Sequence, residues 1–448
     1  MKSLLLFASL ICMLLRITAA DPIRGVNVGG WLILEQWLGG DIWNRVSSAS
    51  DEWGVADELG DAASDAFQDH WSTWFTESTV QQLASYGVNT LRIPLGYWSV
   101  INNSDEPYVY GAQDYLDQAI GWARNAGVKV WVDLHGAPGS QNGYDNSGHA
   151  DGAFWQTDSN NIPLTIDVIT QLAEKYSGSN YSDVVIALEL LNEPISWSPN
   201  DVNITRQYYI DAYNSARNAL TDNQDLQIII HDSFVDLEYW SDIPSAVSAD
   251  YGQIGLDSHI YQVFTDEDNA LDGTGHIDKA CSFQNSLQSS NDVLPTYAGE
   301  WSAAAEICIY ADGTSSSGTS CDQDGCQCTT DDSSSWNSNL TNLVRAYVEA
   351  QLDVFEGNAT GYFFWSHTGP GAWNFINGAE QGWIPNPLTS RAFPGQCGFT
   401  LSSETPVKKR EILESHLKIP HDDRRRVRRG LLGKPVHHAH MVAEHAKL

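Results

Sequence analysis

The chain has 448 residues, with 57 Asp and Glu against 24 Lys and Arg and a formal net charge of −33. Residues 21–400 hold 51 acidic against 11 basic side chains, while 401–448 reverse the balance with 11 basic against 6 acidic. Such an acidic body repels phosphate, which excludes nucleic acid as a partner and suits a soluble protein working in mildly acid surroundings.

From the N-terminus, Lys2, an apolar run over residues 4–15 and the small residues Thr18-Ala19-Ala20 have the build of a signal peptide. The run is too short to span a membrane. Residues 1–20 are therefore expected to leave a mature protein that begins at Asp21. No later stretch is long and apolar enough to cross a bilayer, and the polar, basic C-terminus argues against a glycolipid anchor. The expected product is secreted, extracellular or in a cell wall, monomeric and without a membrane partner.

Short β-rich runs then alternate with longer helical patterns. Strands are expected at 25–31, 90–95, 129–134, 185–191, 227–232, 254–260, 296–300 and 361–365. Helices are expected near 78–86, 114–126, 164–176, 205–221, 235–248 and 340–356, with only a weak signal near 283–290. Eight such units make an α/β fold, a (β/α)8 TIM barrel, occupying 21–400 as one catalytic domain. Residues 32–77 and 306–338 read as insertions, the second rich in Ser, Asp, Gly and Cys. The tail 401–448 has too little apolar content to pack alone, and disorder is the expectation there.

Six cysteines remain after the leader: Cys281, Cys308, Cys321, Cys326, Cys328 and Cys397. An even number in an exported chain suggests disulfides, whose pairing the spacing leaves open; the group Cys321, Cys326 and Cys328 also allows a metal site. Glycosylation sequons begin at Asn102, Asn180, Asn203, Asn339 and Asn358. The 17 Trp and 18 Tyr suit a saccharide groove, since sugar rings have apolar faces, although a large domain also uses aromatics as core.

Two glutamates stand out. Glu193, in Leu191-Asn192-Glu193-Pro194, and Glu300, in Ala298-Gly299-Glu300-Trp301, each close a run that reads as a buried strand. Burying a charge is costly unless something uses it. Cleaving a glycosidic bond needs two carboxyl groups about the anomeric carbon, and strand ends are where a parallel barrel presents its chemistry. Arg92 lies in the otherwise apolar run Thr90-Leu91-Arg92-Ile93-Pro94-Leu95, so a buried carboxylate partner is expected. His135, Asn192, His259, Tyr261 and Trp365 end or follow other strands on the same rim.

These segments resemble glycoside hydrolase family 5, in particular its exo-β-1,3-glucanase branch. The likeness is carried by Arg24-Gly25-Val26-Asn27-Val28-Gly29-Gly30-Trp31, by Leu91-Arg92-Ile93-Pro94, and by Asp133-Leu134-His135-Gly136-Ala137-Pro138-Gly139-Ser140-Gln141-Asn142-Gly143. It continues through Leu191-Asn192-Glu193-Pro194, His259-Ile260-Tyr261-Gln262-Val263-Phe264, Gly299-Glu300-Trp301-Ser302 and Gly361-Tyr362-Phe363-Phe364-Trp365-Ser366. The resemblance implies that Glu193 is the acid/base, needing a raised pKa, and Glu300 the nucleophile, which Arg92 is well typed to hold ionised.

It further implies that Asn192 hydrogen-bonds the sugar 2-OH, that Tyr261 lies near the nucleophile, and that His135 and His259 lie near the terminal sugar. Trp365 becomes the floor under that sugar, and Glu35 grips its hydroxyls. Tyr144, Asp145, Asn146 and Phe264 become the pocket rim and an aromatic entrance. No cofactor or catalytic metal is implied, and Cys281 is implied to pair with Cys397, leaving Cys308 to pair within the insertion. The segment His367-Thr368-Gly369-Pro370-Gly371 departs from the bulkier stretch of relatives.

The expected activity is a retaining release of glucose from non-reducing ends of β-1,3-glucan, with the β-glucan polysaccharide as the partner. Its rivals are an endo-acting β-1,4- or β-1,6-glucanase, a glucan transglycosylase on the same barrel, and a non-catalytic glucan-binding protein of a cell wall.

Overall fold

The computed structural model describes residues 21–398; the expected leader and the tail 401–448 lie outside the described residues. Eight parallel strands close a barrel: β1 (Ile23–Asn27), β2 (Thr90–Gly96), β3 (Lys129–Gly136), β4 (Val185–Glu189), β5 (Gln227–His231), β6 (Ile254–His259), β7 (Thr296–Trp301) and, after three short strands, β11 (Gly361–Phe364). Each barrel strand pairs with its sequence neighbour in the barrel, and β11 returns to β1. The short strands β8 (Ile307–Ile309), β9 (Ser315–Ser317) and β10 (Gln327–Cys328) form a separate antiparallel sheet in the order β10-β8-β9.

One unit shows why the residues fold this way. In the helix Ala112–Ala126, the positions Leu116, Ala119, Ile120 and Ala123 repeat at helical spacing and are fully buried. Gly127 ends the helix with φ 73°, a left-handed conformation, and Val128 N–H bonds back to Ala123 O at 2.9 Å. The chain then enters β3, seven of whose eight residues are buried, as a parallel strand covered on both faces must be.

The barrel interior is layered. Trp131, Ala187, Ile229, Tyr297 and Phe363 make an apolar plug at the strand N-terminal side, and a Cβ on Gly25 would lie 2.1 Å from the Phe363 ring. Above the plug the inward residues become polar: Arg92, Asp133, Glu189 and Asp257, all with 0% exposure.

The eight expected strands are all present, with shifted ends. β1 stops at Asn27, so residues 28–31 have left the sheet, and β4 stops at Glu189, which puts Glu193 on the loop beyond it. The expected helix at 235–248 is instead a 3-10 turn, Leu237–Trp240, and a four-residue helix, Ile243–Ala246. Pro244 lacks an amide hydrogen and sits only at a helix start, which divides the segment. Between β6 and β7 the weak signal is the helix Gln284–Asn291, preceded by the helix Gly273–Ser282, whose Gly273 and Gly275 dilute helical propensity. The first insertion folds into helices Glu52–Leu59 and Ala63–Trp74.

All six cysteines of the described chain are paired, as Cys281–Cys397, Cys308–Cys328 and Cys321–Cys326. The first pair ties the end of the described chain to the helix Gly273–Ser282, the second joins β8 to β10, and the third closes the turn between β9 and β10.

His367 is buried against Trp74 and Phe75, with ring centroids 6.1 and 5.2 Å away. Burial pushes its imidazole down to about 3. The unfolded chain therefore takes up this proton near the ordinary value of 6.5 while the folded chain does not, so stability is lost as pH falls from about 6.5 toward 3. His367→Phe is expected to stabilise the protein at low pH by removing a buried group that only the unfolded chain protonates. The gain, read as the denaturant midpoint, should be larger at pH about 5 than at pH about 7.5.

Candidate active site

Arg92 organises the strand ends. From mid-β2 it points into the barrel with no solvent exposure. Its Nε–H donates to Glu189 Oε2 at 2.9 Å, Nη1–H to Asn27 Oδ1 and Glu300 Oε1 at 3.0 Å each, and Nη2–H to Asn192 Oδ1 at 2.9 Å. Asp133 Oδ2 lies 3.2 Å from Nη2 and Asp257 Oδ2 lies 3.6 Å from Nε. The single expected carboxylate partner is thus four carboxyl groups.

Glu300 lies in β7. Its Oε1 accepts from Arg92, its Oε2 accepts from Tyr261 O–H at 2.8 Å, and His259 Nδ1 lies 3.3 Å from the same Oε2. Burial pushes this carboxyl up to about 7, with His259 and Arg92 opposing and Glu193 adding repulsion. Arg92 was expected to favour the ionised form of this group, and it does donate to it at 3.0 Å. Arg92 also faces three further acids, Asp133, Glu189 and Asp257, in the same desolvated site, so its charge is shared.

Glu193 has φ 46°, the left-handed region that a residue with a Cβ rarely adopts. That turn brings its carboxyl back over the barrel. Oε1 lies 2.7 Å from His259 Nδ1, and Oε2 accepts from Asn146 Nδ2 at 2.9 Å. Asn146 is oriented in turn by Asn142, whose Nδ2 donates to Asn146 Oδ1 at 3.0 Å.

His135 is fixed as a neutral ring. Asp133 Oδ2 accepts from Nδ1 at 2.6 Å, which leaves Nε2 facing Asn192 Nδ2 at 3.3 Å. Burial, helped by Arg92, pushes this imidazole down to about 3. Its ring stacks on Trp365 at 5.6 Å and 12°. His259 is the opposite case. Burial alone would lower it, but Glu300, Asp257 and Glu193 together hold it well above the ordinary range.

The rim residues close around this centre. Glu35 is 4% exposed, accepts from Trp37 Nε1 at 3.0 Å, and is pushed well up by burial and then by Asp145. Asp145 is pushed up to about 6, chiefly by burial. Tyr144, Asp145 and Asn146 belong to the loop after β3, which Gln141 pins by donating from Nε2 to His135 O at 2.7 Å and Asn192 O at 3.0 Å. Phe264 packs on Tyr261 at 5.3 Å, and both meet Trp373.

The sequence reading did not single out Asn27, Glu189, Asp257, Trp37 or Trp373. A signal existed for two of these: Glu189 and Asp257 are acids inside apolar strand runs, the same anomaly that marked Arg92. Asp133 with His135, and Asp257 with His259, also stand two apart and so share the inward face of a strand. Trp37 and Trp373 sit in irregular segments, where no period points to a facing partner.

The solved structure of rutinosidase from Aspergillus niger superposes with a TM-score of 0.65 at 20% identity, covering 81% of this chain and 98% of that one, which is a likeness of fold. Glucan 1,3-beta-glucosidase 1 of Schizosaccharomyces pombe is 39% identical over 388 residues, spanning 85% of this chain and 91% of the relative. A glucan 1,3-beta-glucosidase of Blumeria graminis is likewise 39% identical, over 84% of this chain and 90% of the relative. The family profile described as Cellulase (glycosyl hydrolase family 5) matches residues 56–369. A parallel eight-stranded barrel with this carboxyl pair above a buried arginine, matched along most of its length, belongs to glycoside hydrolase family 5.

Proposed function

We propose that the protein is a secreted exo-acting enzyme that releases glucose from the non-reducing ends of β-1,3-glucan with retention of configuration. One observation carries the chemistry: Glu193 and Glu300 lie against the same nitrogen of His259, at 2.7 and 3.3 Å. Their facing oxygens are therefore at most about 6 Å apart, which is compatible with the roughly 5–5.5 Å of a double displacement. The substrate class follows the relatives, several of which are named glucan 1,3-beta-glucosidases at 36–39% identity.

In this reading Glu300 attacks the anomeric carbon while Glu193 protonates the leaving oxygen, and Glu193 then takes a proton from water to release the sugar. Arg92 and Tyr261 donate to Glu300 and stabilise its charged form. Asn192 meets the 2-OH, His135 and Trp365 underlie the terminal sugar, and Glu35 with Asp145 holds its far hydroxyls. Tyr144 and Phe264 form the entrance. The described barrel is the catalytic domain, 1–20 is a leader and 401–448 a separate basic tail. Among the described residues no helix is long and apolar enough to cross a membrane.

Incubation with linear β-1,3-glucan, followed by proton NMR, should show β-glucose as the first and only small product. Mixed oligosaccharides would favour the endo-acting rival, and binding without turnover the glucan-binding one. Glu300→Ala should lose activity by roughly a thousandfold or more, and Glu193→Gln by about 10²–10⁴-fold on glucan.

Tyr261→Phe removes a donor that favours the ionised form of Glu300, so its pKa should rise further. The acid limb of the pH–activity profile should then move to higher pH by about one unit.

Asn102, Asn180 and Asn203 are exposed, whereas Asn358 is 8% exposed and its Nδ2 donates to Gln288 Oε1 at 3.4 Å. Glycopeptide mapping of the exported protein should find sugar on the first three and none on Asn358.

A further inference from the structure

Beneath the two glutamates lies a carboxylate that the double displacement does not use. Asp257, on β6, has no solvent exposure, and its carboxylate faces two groups that carry or can carry positive charge. A carboxylate so placed is costly unless cations offset it. Its Oδ2 has two, Arg92 Nε at 3.6 Å and His259 Nε2 at 3.5 Å, both ion-pair contacts. The fit is tight: a Cβ at position 299 would lie 1.9 Å from Asp257 Oδ1, so the residue before Glu300 has to be glycine.

The other nitrogen of His259 faces the reacting groups, Glu193 at 2.7 Å and Glu300 at 3.3 Å. The groups that face the ring are Glu193 beyond β4, His231 on β5, Asp257 on β6 and Glu300 on β7, with Asp133 and His135 of β3 at longer range. His231 brings no charge, because its Nδ1 accepts from Ser233 N–H at 2.9 Å and burial holds it well below its ordinary value. One proton therefore has two drawings, as Glu193 O–H against a neutral His259 or as His259 Nδ1–H against a Glu193 carboxylate. An acid at the far nitrogen favours the second.

We propose that the proton given to the leaving oxygen rests on His259 and passes through Glu193, with Asp257 as the positioning residue that keeps it there. The inference rests on the double displacement proposed above. In the first half-reaction Glu300 bonds to the anomeric carbon as the bond to the leaving oxygen breaks. The proton moves from His259 Nδ1 to the Glu193 carboxylate, and from that carboxyl to the leaving oxygen. The ring is left neutral, with its remaining hydrogen on Nε2 facing Asp257. In the second half-reaction water attacks, the Glu300 ester bond breaks, and the water's proton travels through Glu193 back to Nδ1. Each turnover restores the starting state, with the acid proton held ready beside Glu193.

The test compares two substrates. Laminaribiose has a leaving group that needs a proton, and 2,4-dinitrophenyl β-glucoside has one that does not. Asp257→Asn should lower kcat/KM for laminaribiose by at least about tenfold and move the alkaline limb of its pH profile to lower pH, while the dinitrophenyl glucoside changes by less than about threefold. Equal losses on both substrates, or an unmoved limb, would overturn the proposal. The unaltered protein gives a second reading that survives a misfolded variant. In ¹⁵N-histidine NMR, with His259 assigned by its absence in His259→Asn, both ring nitrogens should carry protons at about pH 6, and a neutral ring there would also overturn it. Failure of the underlying reading looks different, because Glu300→Ala would then still hydrolyse the dinitrophenyl glucoside.

Discussion

The site depends on one guanidinium held without water. Arg92 bonds or pairs with Asn27 of β1, Asp133 of β3, Glu189 of β4, Asn192 beyond β4, Asp257 of β6 and Glu300 of β7. A buried cation is tolerated only when its hydrogens are satisfied and its charge is met. A planar fork with five hydrogens can do this for several acceptors at once, and an ammonium cannot. Because the acceptors come from five other strands or their ends, closing the barrel and aligning the carboxyl groups of the site are the same event.

That arrangement sets the protonation of the centre. Five carboxyl groups, Asp133, Glu189, Glu193, Asp257 and Glu300, share a dry volume with two groups that favour positive charge, Arg92 and His259. They cannot all be ionised together. Burial moves Asp133 up to about 7 and Glu189 well above its usual range, whereas His259 and Arg92 hold Asp257 below its own against the same burial. Acidity in this site therefore belongs to the cluster, and Glu300 titrates as a member of it.

The parts that were legible in the sequence were the ones written locally. Eight apolar runs and the helical repeats between them are periodic over a few residues, so the barrel could be read strand by strand. Glu193, Glu300 and Arg92 announced themselves as charges where packing alone would put none. Glu189 and Asp257 carry the same kind of signal and were passed over, because a single acid within a β-rich run is uninformative until a cation is known to face it. The helix over 235–248 failed at Pro244, and Gly273-Thr274-Gly275 concealed one that exists. The two tryptophans beside Tyr261 and Glu35 had no periodic context at all.

The sequence by itself determined the fold class, the two carboxyl groups and the expected partner of Cys281, the last through resemblance. These rest on short-range pattern, since side-chain direction repeats every two residues in a strand and about every 3.6 in a helix. Only the tertiary structure decided which protons the centre carries. It set Asp257 against Gly299 and beneath His259, brought Glu193 and Glu300 to one imidazole nitrogen, and spread Arg92 over four acids. Charge in a desolvated interior is a property of distances between residues far apart in the chain, and those distances exist only once the barrel has closed.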